Sequence, residues 1–316
     1  MNMVKVPSLF LLLLLVPGHV LAQTESRSQP AEIFTYEADK PLDLNEDEVG
    51  ERDGAKIYNI SYASPKGGRV TAYLVVPLGK QKCGGAIFLH GSGANRDQFL
   101  PEAITLAKSS IISLLIDSPS ARPEPWRKSP YDYLMADRDI RIQSVIDLRR
   151  GLDLLLARRD INPKKIAFIG YSKGAEVGGV LAGVENRIRV FVLMAVNASQ
   201  VEFWREPNNP TAEDLKKRLT PEKFETYVES LVPVEQVHYV GKATPAELFF
   251  QFGKQDPLVP VDSAKRLFEA ASKPKTVKWY DAGHGLNGRA STDRMDWVTK
   301  AIGILQPTDR TFQEPR

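Results

Sequence analysis

The stretch Lys165-Ile166-Ala167-Phe168-Ile169-Gly170-Tyr171-Ser172-Lys173-Gly174 decides the fold. Its first half is an apolar run with the pattern of a strand buried on both faces, as in a parallel sheet. Its second half matches Gly-x-Ser-x-Gly, and the segment from Ala175 to Gly183 is rich in small residues that suit a helix packed closely on a sheet. Strand, sharp turn and helix in that order form a nucleophile elbow. The glycines let backbones crowd the turn, the turn lifts the serine hydroxyl out of the sheet, and the helix N-terminus is aimed at developing negative charge. The five-residue pattern alone is weak, because with Gly and Ser at roughly 7% each a chance match in a chain of this length occurs on the order of one time in ten. The strand before it and the helix after it give it weight.

Outward from the elbow, similar runs recur. Ala86 to Leu89 leads into His90-Gly91-Ser92-Gly93, and Ile111 to Ile116 leads to Asp117. Val190 to Val196, Leu248 to Phe252 and, more weakly, Val277 to Tyr280 follow. Helix-like segments lie between them. Ile140 to Ala157 carries Ile140, Val145, Leu148, Leu152 and Leu156 on one stripe, and Ser263 to Ala271 and Arg294 to Ile304 are amphipathic. Strands alternating with helices predict an α/β fold with a mostly parallel central sheet flanked by helices. Two earlier runs, Lys56 to Ala63 and Val70 to Pro77, flank the turn residues Pro65-Lys66-Gly67-Gly68 and predict an antiparallel hairpin at a sheet edge. The alternation breaks once, over residues 198–243. Short helices are expected there at Ala212 to Arg218 and Pro221 to Leu231, the second opened by Thr220 as N-cap and Pro221 at the first position. An insertion at the strand ends where ligands bind is expected to act as a small helical lid.

The N-terminus reads as a signal peptide over residues 1–22. Lys5 supplies the positive charge, Leu9 to Val16 the apolar core and Val20-Leu21-Ala22 the cleavage site, so the mature chain is expected to begin at Gln23. The apolar run is too short to span a bilayer, which needs about 20 residues. The protein is therefore expected to be secreted or periplasmic, with no membrane anchor after cleavage. Residues 23–55 read as a loosely ordered lead-in, 56–305 as one domain and 306–316 as a C-terminal tail. The net charge of +3 comes from mixed charges without a basic face, which argues against a nucleic-acid partner. A single cysteine, Cys83, cannot form an internal disulfide and reads as a small buried residue at a strand start.

A serine nucleophile needs a base. Of the four histidines, His19 lies in the signal segment, His90 in the loop after an early strand and His238 in the insertion. Only His284, in Asp281-Ala282-Gly283-His284-Gly285, follows the last strand, as the chain order serine, acid, histidine requires. The carboxylate that orients it is assigned to Asp256, at the end of a different strand in Gly253-Lys254-Gln255-Asp256-Pro257, in preference to Asp281 beside the histidine itself. An oxyanion needs two backbone donors: the N–H of Lys173 is one, and Ser92, with Gly93 as second choice, supplies the other. His90 is expected to hold its loop by a hydrogen bond. No spacing of histidines and carboxylates resembles a metal site, so neither metal nor organic cofactor is expected.

Together, His90-Gly91-Ser92-Gly93, Gly170-Tyr171-Ser172-Lys173-Gly174-Ala175, Gly253 to Pro260 and Asp281 to Leu286 resemble the α/β-hydrolase superfamily, in particular its dienelactone hydrolase-like and acyl-peptidase-like serine esterase branch. The helix from Val145 to Asp153 is similar to that branch too, and the resemblance runs from about Lys56 to Leu305. It implies a serine hydrolase acting on small-molecule carboxylic esters through an acyl-enzyme. One departure is that dienelactone hydrolases use a cysteine where this chain has Ser172, which points to general ester hydrolysis. The alternatives are a peptidase or amidase of the acyl-peptidase type and a non-catalytic binding protein on the same fold.

Overall fold

The apolar runs assemble into a nine-stranded sheet with the order β1-β2-β3-β5-β4-β6-β7-β8-β9. The strands are β1 (Asn45–Arg52), β2 (Ala55–Ala63), β3 (Arg69–Pro77), β4 (Cys83–Leu89), β5 (Ile111–Ile116), β6 (Ile161–Tyr171), β7 (Val190–Met194), β8 (Glu247–Gly253) and β9 (Lys275–Tyr280). The computed structural model describes Met1 and residues 32–79, 82–122, 136–207 and 209–303. The expected signal peptide beyond Met1, the first part of the lead-in and the C-terminal tail lie outside the described residues. β1, β2, β3 and β5 pair antiparallel in turn, whereas β4 to β9 run parallel. The chain leaves the hairpin into β4 near the middle of the sheet, adds β5 on one side and then builds outward through β6 to β9 on the other.

Alternate side chains of each inner strand enter two cores. From β4, Ile87 and Leu89 join a cluster with Leu148, Leu152, Val180, Leu181 and Leu267, while Ala86 and Phe88 face Ala103, Ile104, Val298 and Ile302. Thus α2 (Asp137–Ala157), α3 (Lys173–Val184) and α7 (Val261–Ala270) cover one face, and α1 (Leu100–Ala107) and α8 (Gly288–Ile302) cover the other. Burial on both faces is why these strands read as continuous apolar runs. Cys83 opens β4 and is buried, which pushes its thiol up to about 11.

Two expectations need correction. The hairpin β2–β3 is not itself the edge, because β1 pairs outside β2. Nor is the lead-in loose from Glu32 onward. Phe34 is fully buried edge-on against Tyr239, Arg149 of α2 donates to the Phe34 carbonyl at 2.8 Å, Arg150 donates to the carbonyls of Ala38 and Lys40, and Tyr36 donates to Asp153 at 2.8 Å. The segment lacks periodicity because long-range ties to arginines, not a repeating apolar face, hold it.

The interruption lies between β7 and β8. It holds α4 (Gln200–Arg205), α5 (Pro210–Arg218), α6 (Pro221–Ser230) and three single 3₁₀ turns. α4 was not anticipated; Ser199 caps it by accepting from Glu202 N at 3.0 Å. Asn209 and Thr220 cap the other two, each followed by a proline that has no N–H to leave unpaired.

Candidate active site

The turn between β6 and α3 carries Ser172 at φ +51° and ψ −121°, a conformation that L-residues seldom adopt. It persists because its surroundings hold it. Ser172 N donates to the Met194 carbonyl of β7 at 2.9 Å, and its own carbonyl accepts from Ala175 and Glu176. The two motif glycines are required by close approach. A Cβ on Gly170 would lie 2.6 Å from the Gly174 carbonyl oxygen, and one on Gly174 would lie 2.2 Å from that of Leu89 at the end of β4. The helix behind the serine is thereby seated directly on the strand that supplies the His90–Gly93 loop.

Asp256 lies in the loop after β8 and His284 in the loop after β9, so both meet Ser172 at the C-terminal end of the parallel sheet. His284 Nε2 is 2.9 Å from Ser172 Oγ, and His284 Nδ1 is 2.8 Å from Asp256 Oδ2. The Asp256 side chain is 1% exposed, and its other oxygen accepts the N–H groups of Leu258 at 2.8 Å and Val259 at 3.1 Å. Tyr171 donates to the His284 carbonyl at 3.2 Å, and its ring lies 5.3 Å from the imidazole. Asp281 is directed elsewhere: it is exposed and pairs with Lys254 at 2.8 Å. Such an arrangement can pass a proton from the serine to the imidazole while the carboxylate holds the ring.

Ser92, Gly93 and Lys173 border the same cavity as Ser172 and His284, with a volume of about 780 Å³. Lys173 is the first residue of α3, where helix amides point away from the helix body. His90 is buried below this loop. Its Nδ1 donates to the Gly91 carbonyl at 2.8 Å and its Nε2 accepts Ser118 N–H at 3.0 Å, which requires the neutral ring. Burial lowers its pKa accordingly, against the opposing effect of the Gly91 bond. His238 lies away from the cavity, half-exposed, 3.5 Å from Glu235. Among the described residues no group of three His, Cys, Asp or Glu side chains is placed to hold a metal ion.

The cavity contains more than the sequence indicated. The insertion covers it with Phe203, Trp204, Thr211 and Tyr227, whose rings Phe203–Trp204 and Trp204–Tyr227 meet edge-on at 5.3 and 5.4 Å. Below these lies a charged network. Lys173 Nζ reaches Asp137 at 2.5 Å, Arg141 joins Asp137 at 3.2 Å to Glu176 at 2.7 Å, and Gln200 donates to Glu176 at 2.6 Å. Burial alone would raise the Asp137 carboxyl, but Arg141 and Lys173 outweigh it and hold it well below the usual carboxylate range. The available signal was that Lys173 and Glu176 follow the serine within one helical turn.

No protein-family model matches the chain, and no curated protein matches its sequence. Solved structures do match its fold. An acetyl xylan esterase from Paenibacillus sp. R4 superposes with a TM-score of 0.71 at 19% identity, over 83% of this chain and 90% of that one. Acetyl xylan esterase 1 from Thermoanaerobacterium sp. JW/SL YS485 gives 0.73 at 14% identity, over 86% and 92%. The Pyrococcus furiosus esterase Pf2001 gives 0.59 at 15% identity, over 82% and 100%. With its mostly parallel sheet and strand order, the chain has the α/β-hydrolase fold.

Proposed function

We propose that the protein is a serine hydrolase of carboxylic esters. Ser172 attacks the acyl carbonyl, His284 takes its proton and returns it to the leaving alcohol, and water activated by His284 cleaves the acyl-enzyme. Asp256 holds the imidazole with Nε2 facing the serine. The N–H groups of Ser92 and Lys173 receive the oxyanion. The observation that carries this reading is the unbroken chain of hydrogen bonds from Ser172, on its strained elbow, through His284 to the buried side chain of Asp256. The esterases among the structural neighbours support the choice of ester over other acyl compounds. Export through the N-terminal signal would place the enzyme outside the cytoplasm.

Covalent labelling tests the nucleophile. A fluorophosphonate should modify the peptide containing Ser172, and Ser172→Ala should lose about 10⁶-fold in turnover of a p-nitrophenyl ester. An adduct on another residue, or turnover unchanged in the variant, overturns the assignment.

A further inference from the structure

The cavity beside Ser172 has two kinds of wall. Phe203, Trp204, Leu258 and Val259 supply apolar lining. The polar wall consists of the ion pairs Lys173–Asp137 and Arg141–Glu176 together with the carboxamides of Asn197 and Gln200. Two cations face two anions there, so a charged ligand group gains no net Coulomb attraction and loses its own hydration. A methylene chain fares no better, because it strips water from this wall and replaces none of the hydrogen bonds.

The carboxamides add direction. Asn197 Oδ1 accepts Gln200 Nε2 at 3.1 Å and Gln236 Nε2 at 2.8 Å, which identifies the oxygen end of the amide and leaves Nδ2 as a donor. Gln200 commits its Nε2 to Glu176 Oε1 and Asn197 Oδ1, which leaves its own Oε1 as an acceptor. Asn197 Nδ2 and Gln200 Oε1 have no partner among the described residues, and both residues border the cavity. A neutral donor beside a neutral acceptor matches a hydroxyl group, which does both.

We infer that this wall is a subsite for the neutral, hydroxylated portion of an ester and makes the site discriminate against aliphatic esters of similar size. The inference rests on the ester-hydrolase reading of the same cavity, and deepens it by naming Asn197 and Gln200 as specificity-determining residues. The apolar lining residues would lie against the less polar face of the same group.

The test compares 6-O-acetylglucose with hexyl acetate. Calorimetric titration of Ser172→Ala, which removes the chemistry, should show the sugar ester binding about tenfold tighter or more, as two added hydrogen bonds require. In the same background Asn197→Leu and Gln200→Leu should each bring the two affinities within about threefold. If a leucine variant fails to fold, Asn197→Asp and Gln200→Glu keep the volume, alter the donor–acceptor pattern and should likewise erode the preference. Equal affinities in Ser172→Ala, or a preference that survives substitution at both positions, overturns the subsite. Ser172-dependent turnover without a sugar preference refutes the subsite and leaves the ester-hydrolase reading standing. Binding preference without turnover of any ester refutes the hydrolase reading and leaves the subsite standing.

Discussion

Replacing Asp256 by asparagine would change one atom and reverse the direction of a hydrogen bond. Asp256 Oδ1 accepts two backbone N–H groups, from Leu258 and Val259, while Oδ2 faces His284 Nδ1 at 2.8 Å. In the variant the amide oxygen is retained on the two N–H groups, because a flip would break both at a cost of about 2–6 kcal/mol in all. The new NH₂ therefore meets the imidazole and donates to Nδ1. The ring proton is forced onto Nε2, 2.9 Å from Ser172 Oγ, where an acceptor is needed. The wrong tautomer costs about 10⁴-fold in turnover in a well-studied triad, or about 5.4 kcal/mol at 1.36 kcal/mol per tenfold. Because all three contacts keep a hydrogen bond, the melting temperature should move by no more than about 2 °C. Asp281→Asn removes only an exposed pair with Lys254, of a kind worth about 0–1 kcal/mol, and should lose less than about tenfold. Steady-state kinetics on a p-nitrophenyl ester and thermal melts of both variants decide between the aspartates. A larger loss in Asp281→Asn, or less than about tenfold in Asp256→Asn, refutes the reasoning.

Three further outcomes are expected. Gly174→Ala places a Cβ 2.2 Å from the Leu89 carbonyl oxygen and 2.7 Å from that of His90; overpacking of this kind costs about 3 kcal/mol, a melting-temperature drop of roughly 6–12 °C in a differential scan, and an unchanged melt would contradict the close approach. His90 is held neutral by burial, with Asp117 opposing and Lys173 and Arg122 assisting, so the unfolded chain binds more protons below the ordinary value of 6.5. The stability that His90 contributes is thus complete above that pH and declines as pH falls below it, and urea melts of His90→Gln should lose less stability between pH 7 and 5 than the parent. Mass spectrometry of exported protein should find Gln23 at the N-terminus, and a mature chain retaining Leu9 to Val16 would refute cleavage.

The parallel strands were legible because burial on both faces leaves little choice but apolar residues: β4, β5 and β7 have every position buried. The elbow was legible because close backbone approach at Gly170 and Gly174 excludes side chains, and that leaves a pattern in the letters. Ser172, Asp256 and His284 could be selected by chain order and strand ends, and they come together within hydrogen-bond distance. β1 was not legible: Asn-Glu-Asp-Glu-Val-Gly-Glu-Arg is exposed along nearly its whole length, so its backbone pairing to β2 leaves no trace in hydrophobicity. The charged floor was missed for a related reason. Asp137 and Arg141, four apart on a helix, have the spacing of solvated surface charges, and only their partners on α3 and α6 mark them as interior. The arginines that latch residues 32–40 onto α2 carry no local signature, since their partners are carbonyl groups more than 100 residues away.

The distribution of Ser172, Asp256 and His284 over the ends of β6, β8 and β9 has a consequence for biosynthesis. Ser172 and His284 are 112 residues apart. At ~5–20 residues per second, a ribosome that has just completed the serine needs about 6–22 s more to deliver the histidine. Throughout that interval the nascent chain has the serine without the histidine proposed as its base, and the last strand must still dock before the two meet. On the proposed mechanism a product ending before His284 lacks the base, so premature termination or proteolysis upstream of that residue is expected to yield inactive fragments, not unregulated ones.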